Sequence, residues 1–455
     1  MSVPPPKKLR PGLPEGPFLV VGLARSGQAV ARLLADRGEV VKGVDSGHPD
    51  GAAGLEAVGV EVVLDADGLA LLEGTRTVVK SPGVPREALV IAAALERGID
   101  VIGEMELAWR TMPNRFVAVT GTNGKTTTVE LLGHLYRTAG EPVSVAGNVG
   151  TPLSALAGEV DSGVTVVCEA SSFQLEDTTA FAPECAVFLN LASDHLDRHA
   201  DLDAYLAAKL RIFANQSNDD VAVYNADDPA LAGVDLGGCA RRISFCHGAG
   251  LDCEVSLSEG TIFYDGEPLL ALDELGLLGE HNVANAMAAA AAALSMGLDR
   301  DAVRDGLRSF AGVPHRLEQV AEIDGVRFVN DSKATNVASA TVGIRAFEGG
   351  IHAILGGSEK GEPFGPLAGP VRERCTACYL TGASAERLAE ELAPVIESGV
   401  KLHRCADLED AVRRAAATAR PGEVVLLSPA CASFDSFRDF EERGERFRQI
   451  VEGLR

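Results

Sequence analysis

The chain has 455 residues, room for two to four domains at about 100 to 200 residues each, and its 46% hydrophobic and 23% charged residues describe an ordinary globular protein. A formal net charge of -24 repels phosphate backbones and anionic lipid, which disfavours nucleic-acid and membrane-surface roles and requires concentrated positive groups wherever an anion binds. The opening MSVPPPKKLRPGLPEGP lacks the apolar stretch of a signal peptide and no later run is long enough to span a bilayer, so a cytoplasmic protein is expected.

Nine cysteines scattered singly do not form a disulfide framework, and the close pair Cys375 and Cys378 runs into an apolar strand, which predicts buried thiols. Short apolar runs alternate with alanine-rich helical stretches throughout, the pattern of parallel sheets with crossover helices. The predicted class is α/β, in three domains spanning residues 1–112, 113–313 and 314–455.

The first domain opens with FLVVG, then Gly22-Leu23-Ala24-Arg25-Ser26-Gly27 and a helix, and VVKGVD ends a second strand at Asp45. This is nearly a dinucleotide fingerprint, but Ala24 replaces the central glycine that lets a pyrophosphate approach the backbone. A nicotinamide site and a plain strand-turn-helix both remain open. RTVVKSPGVP and DVIGE supply further strands.

The second domain begins with RFVAVTG and the loop Gly121-Thr122-Asn123-Gly124-Lys125-Thr126-Thr127 between a strand and a helix. It is a shortened phosphate loop, with Val119 where the longer pattern has glycine. Backbone N–H groups at the helix start can cradle phosphates, Lys125 can neutralise them, and the Thr126 hydroxyl can reach magnesium. ATP or a similar nucleotide is the expected ligand.

Glu169 ends the strand of GVTVVCEASSFQLE, where a carboxylate can hold magnesium; alternatively it is a cap or a surface acid. VFLNLASDHLDRH then stops in a polar cluster containing Asp194, His195, Asp197 and His199, and His195 is either a ligand for a second metal ion or a satisfied loop histidine. In DLDAYLAAKLRIF, Leu202, Tyr205, Leu206 and Phe213 share one stripe with Lys209, which either snorkels to water, the commoner outcome, or is held in the site.

In the third domain RFVND, HAILGG, ACYLTG and EVVLLSPA read as four strands. NDSKATN places Asp331, Lys333 and Thr335 after a strand, GGSEKG places Lys360 in a glycine-rich turn, and SPACASFDSFRDFEERG brings hydroxyl groups to another sheet edge. Lysines clustered at sheet ends predict a shared anion site.

GTNGKTT, EASSFQLE, the NLASDHLDRH cluster, YLAAKLRIF, GEHNVANA, HRLE, NDSKATN and SPACASFDSFRDFEERG, in this order across almost the whole chain, resemble the Mur ligases of cell-wall synthesis. The last two motifs are similar to those of the D-glutamate-adding branch. The resemblance implies a Rossmann-like uridine-nucleotide domain, a central P-loop ATP domain with a parallel-rich sheet, and a Rossmann-like amino-acid domain. It further implies an acid-amino acid ligase using ATP and two magnesium ions, working as a monomer on the small molecules UDP-N-acetylmuramoyl-L-alanine and D-glutamate.

By the same resemblance, Lys125, Glu169, His195 and Lys209 are catalytic; Thr126, Glu169, His195 and a carbamylated Lys209 support metal; and Asn282, Asn285, Arg316 and Asp331 join the phosphate loop in holding ATP. Arg25, Ser26, Asp45, Ser46 and Gly83 match uridine-nucleotide positions, Asn148 a position near the muramoyl group, and Lys333, Thr335, Lys360, Ser433 and Phe440 the D-glutamate pocket. The third domain is expected to swing on closure. A folylpolyglutamate synthase, a nucleotide-hydrolysing switch and a dehydrogenase are the rival readings.

Overall fold

The structure, a computed structural model, describes residues 8–148, 150–192, 198–247, 253–277, 280–359 and 361–454. Its strands form three sheets, and the first two begin with short apolar runs, FLVV and FVAVT, buried on both faces, as a sheet covered by helices requires. Two compact units result, Met1–Leu275 with His281–Ser309 and Gly276–Glu280 with Phe310–Arg455, so the first two sheets belong to one unit.

The first sheet contains β1 (Phe18–Val21), β2 (Val41–Val44), β3 (Glu61–Val63), β4 (Thr77–Lys80) and β5 (Asp100–Gly103), all parallel in the order β3-β2-β1-β4-β5. Val30, Leu33 and Leu34 of the helix Arg25–Asp36 pack on Phe18 and Val20, while Val90 and Ile91 pack on Leu19, Val21 and Val78. Strand order reverses at β1, which leaves a crevice between the ends of β1 and β4.

The second sheet contains β6 (Phe116–Thr120), β7 (Val143–Gly147), β8 (Thr165–Glu169), β9 (Cys185–Phe188), β10 (Val221–Asn225), β11 (Arg241–His247), β12 (Val255–Ser258), β13 (Thr261–Tyr264) and β14 (Glu267–Ala271). Its order is β14-β13-β12-β11-β10-β9-β6-β8-β7, with β13 antiparallel to both its neighbours. The chain reverses around β6, whose neighbours are β8 and β9, so the ends of these three strands converge.

The third sheet, in the other unit, has β15 (Glu318–Ile323), β16 (Val326–Asn330), β17 (Ile351–Gly356), β18 (Cys375–Thr381), β19 (Lys401–Arg404) and β20 (Val424–Leu427) in the order β15-β16-β20-β17-β18-β19. Only the edge strand β15 runs antiparallel.

The sequence reading did not name β7 or β10 to β14 of the second sheet, and it also missed β3, β15 and β19. β3 is three residues long, β15 shows no apolar run, and β19 is KLHR on a sheet edge, where one side of the ladder faces no partner strand. The cysteine reading also needs correction: Cys246 and Cys253 form a disulfide, with Cα atoms 6.1 Å apart. They are seven residues apart in sequence yet adjacent in space, because β11 and β12 pair side by side with Cys246 opposite Ser256. Cys375 and Cys378 are free and buried as expected.

Candidate functional site

The phosphate loop leaves β6 and enters the helix Lys125–Thr138. Gly124 holds a left-handed φ of 83°, and a Cβ there would meet the Asn285 side-chain oxygen at 2.2 Å. Glycine is therefore required by backbone and by space together. Asn285 lies on the helix Glu280–Ser295, donates to Asn282 Oδ1 (3.0 Å), and its own oxygen accepts from Thr128 Oγ1 (3.4 Å). Both asparagines are buried; Asn285 lies against Gly124 of the loop, and Asn282 is joined to the loop through Asn285.

Lys125 Nζ donates to the carbonyls of Gly121 (3.0 Å) and Thr122 (2.9 Å). Thr126 Oγ1 donates to Glu169 Oε2 at 2.8 Å across the β6–β8 ladder, and Asn148 Nδ2 donates to Glu169 Oε1 at 3.0 Å. Glu169 is 3% exposed at the end of β8, neither a cap nor a surface acid. A hydroxyl beside a carboxylate at a phosphate loop is the all-oxygen donor set that magnesium prefers, so these residues fit the ion the family implies. Thr127 is buried one step further into the helix.

Lys209 does not snorkel. It is 1% exposed on the helix Leu202–Leu210, donates to Gly121 O at 2.8 Å, and sits 4.5 Å from the centre of the Tyr205 ring. Gly121 O thus accepts from Lys125 and Lys209 alike. The expected stripe is narrower than the sequence suggested, because Leu202 is 42% exposed and Phe213 lies past the helix end. His195, Asp194 and Asp197 lie outside the described residues, as does Lys360. His199 is buried beside Ser172 Oγ (3.0 Å) and stacks on Phe173.

Sequence reasoning passed over Asn190, just beyond β9. Its Oδ1 accepts from Asn123 N–H (2.8 Å), its Nδ2 donates to Asn123 O (3.2 Å), and its carbonyl accepts from Thr122 N–H (2.9 Å), clamping the loop from the neighbouring strand. A lone polar residue ending the apolar run VFLNL was the available signal.

In the first sheet Asp45 caps the first turn: Oδ2 accepts from Leu23 N–H (2.6 Å) and Oδ1 from Gly47 N–H (2.9 Å). A Cβ on Gly27 would meet Gly22 O at 1.8 Å, so this glycine serves helix-on-strand packing. Arg25 donates to Gly150 O (2.8 Å); Ser26 lies in the first turn of the helix Arg25–Asp36, and Ser46 and Gly83 follow the ends of β2 and β4.

In the other unit Asp331 follows β16, accepts from Ser428 Oγ (2.8 Å) and Leu317 N–H (3.3 Å), and is pushed up to about 7, chiefly by burial. The buried Arg316 Nε has no hydrogen-bond partner among the described residues, a donor an anionic ligand would satisfy. Lys333 Nζ lies 5.8 Å from the Phe440 ring centre, Thr335 N–H donates to Lys333 O, and Ser433 is buried where the chain leaves β20. Arg443, also passed over, is 3% exposed and joins the two loops, donating to Ser332 Oγ (2.9 Å), Ser332 O (2.9 Å) and Cys431 O (3.1 Å). Burial lowers its guanidinium to about 10.

Three family models match: "Mur ligase MurD-like, N-terminal domain" at residues 17–103, "Mur ligase middle domain" at 119–293 and "Mur ligase, glutamate ligase domain" at 315–431. The chain is 43% identical over 445 residues to the UDP-N-acetylmuramoylalanine–D-glutamate ligase of Pelotomaculum thermopropionicum, covering 96% of this chain and 97% of the relative. It is 41% identical to that of Acidobacterium capsulatum, with 95% of each covered. Among solved structures, the UDP-N-acetylmuramate-alanine ligase of Thermotoga maritima has a TM-score of 0.57 at 19% identity (96% of this chain, 99% of that one). A pseudomurein peptide ligase from Methanothermus fervidus has a TM-score of 0.55 at 19% identity (96% and 100%). These two are similar in fold.

Proposed function

The chain belongs to the Mur ligase family, and from that premise we propose that it joins D-glutamate to UDP-N-acetylmuramoyl-L-alanine with ATP, as a step of peptidoglycan synthesis. The carrying observation is the Thr126–Glu169 hydrogen bond at 2.8 Å beside the phosphate loop, in a chain matched nearly end to end by relatives of that name. We assign residues 1–112 to the uridine nucleotide, 113–313 to ATP and 314–455 to the amino acid. The enzyme acts as a monomer in the cytoplasm, where ATP is supplied.

A carboxylate oxygen of the L-alanyl group attacks the γ-phosphorus and ADP leaves; the amine nitrogen of D-glutamate then attacks the acyl carbon and gives up a proton to solvent, and inorganic phosphate leaves with the C–O bond pair. Phosphorylation is needed because a carboxylate oxygen is otherwise a poor leaving group. Lys125 and the loop N–H groups hold the transferring phosphate and offset its charge. Magnesium, when bound, neutralises phosphate charge, and Thr126, Glu169 and His195 would hold it, with Lys209 as a carbamate giving a further carboxylate-like donor. Arg316 and Asp331 belong to the ATP set, and Lys333, Thr335, Lys360, Ser433 and Phe440 to the amino-acid set, where a lysine beside hydroxyl groups suits a dicarboxylate.

Phosphate release measured with ATP and UDP-N-acetylmuramoyl-L-alanine, adding D-glutamate, L-glutamate, L-lysine or diaminopimelate in turn, tests the reading. Release should require the muramoyl nucleotide and D-glutamate together. Release driven by another amino acid would transfer the chain to a sister activity, and acceptor-independent release would make it a switch.

A further inference from the structure

Several buried polar groups that the ATP and amino-acid assignments leave unused gather at one seam inside the first compact unit. Lys80 ends β4 and is 2% exposed. Its Nζ donates to Val84 O at 2.8 Å and lies 2.8 Å from Asp177 Oδ2, itself 5% exposed. Val84 N–H donates to Ser81 O, and Ser81 Oγ donates to Gly22 O at 2.7 Å, so Lys80 closes the turn Ser81–Val84 while that turn grips the first strand-to-helix bend. On the other side, Asp177 ends the short helix Ser172–Glu176 that follows Glu169, and its carbonyl accepts from Gly103 N–H at the end of β5. One ion pair thus spans from the turn containing Gly83 to the segment that begins at Glu169.

A buried ion pair is a weak source of stability, because the loss of hydration offsets most of the attraction; its best-attested use is to fix one register among several. The seam has other fasteners, such as Glu106 accepting the N–H groups of Thr179, Ala180 and Phe181, and these lie away from the turn. What distinguishes Lys80 is that the same ammonium group holds both the turn and the partner segment.

We propose that Lys80 and Asp177 are a positioning pair that sets the distance between the Ser81–Val84 turn and the Glu169 segment, and so the span within which the uridine-nucleotide substrate must place its reacting carboxylate. The inference rests on the reading above that this turn belongs to the uridine-nucleotide site.

The test is the double variant Lys80→Met/Asp177→Leu, an apolar pair of similar volume for which folding is neutral or improved. At an unchanged or higher melting temperature, kcat/KM for UDP-N-acetylmuramoyl-L-alanine should fall about 10- to 100-fold, with the KM for ATP unaltered. Wild-type kcat/KM in a folded variant overturns the pair's role, and so does an equal loss toward both substrates, the mark of a merely structural contact. If the double variant does not fold, Asp177→Asn, which keeps size and an acceptor for Lys80, is read by the same split. A wild-type protein that never turns over the muramoyl nucleotide overturns the functional reading and this inference together; an active wild type matched by its variants overturns the inference alone.

Discussion

Lys209 shows what a single residue can do against its intrinsic preference. Hydrophobic spacing placed it on an apolar stripe, and nothing in spacing distinguishes a lysine that reaches water from one that does not. Burial to 1% exposure and a hydrogen bond to Gly121 O put its nitrogen against the phosphate loop instead. If its function is to carry a carboxylate-like group there, Lys209→Ala should lose ligase activity by at least about a hundredfold, and added formate or acetate should restore part of it; a fully active variant would end the carbamate role. Asp331 offers a second residue-scale outcome. Burial raises its carboxyl from 3.8 in the unfolded chain to about 7, so the native state binds the proton more tightly than the unfolded one. Stability from this group is accordingly greatest below the unfolded value and falls as pH rises from about 4 through about 7. Asp331→Asn should flatten that slope, read as urea midpoints of the third-sheet unit across the window. An unchanged slope would show that Asp331 is not the titrating group.

At the scale of elements, the strand-loop-helix units were legible because their chemistry is local. A glycine-punctuated loop after an apolar strand announces itself within ten residues, and β6, the phosphate loop and the following helix lie where the pattern requires. Elements held by distant partners were not legible in the same way. β15 and β19 are edge strands with no apolar run, and Asn190 and Arg443 acquire their roles only when strands far apart in sequence become neighbours. The Gly124–Asn285 contact joins both kinds of information, since the loop is local and the asparagine is 161 residues away by subtraction of their positions. Gly124→Ala should cost about 1 to 3 kcal/mol from backbone strain alone and displace Asn285, with ATP affinity falling. Adding Asn285→Ala removes the steric part and leaves the φ of 83°, so the double variant should recover stability only partly. Full recovery, measured by thermal unfolding, would show that the backbone conformation carries no strain.

For the whole molecule, a net charge of -24 requires any anion site to be local, but it says nothing about how the chain before the first strand is used. That segment crosses from one sheet to the next within the first unit. Arg10, with a side chain 7% exposed, donates to the carbonyls of Trp109 (2.7 Å), Met112 and Asn114, pairs with Glu184 at 3.6 Å, and stacks over the Trp109 and Phe116 rings. Lys8 reaches Asp220 at 2.6 Å and Ala182 O at 2.9 Å, and Gly12 O accepts from Arg110 (2.9 Å). The connection between the first and second sheets is therefore bound by side chains that precede both, and its backbone carbonyls depend on one guanidinium. Arg10→Ala would leave those carbonyls and Glu184 short of donors in a buried setting, at a cost of about 2 to 4 kcal/mol. Amide exchange should quicken across residues 104–120, where the lost partners lie, and remain at the wild-type rate in the strands of the third sheet. Unchanged protection at 104–120 would mean that water or neighbouring donors replace the guanidinium, and that the seam is held by Glu106 and the Lys80–Asp177 pair without help from the N-terminal segment.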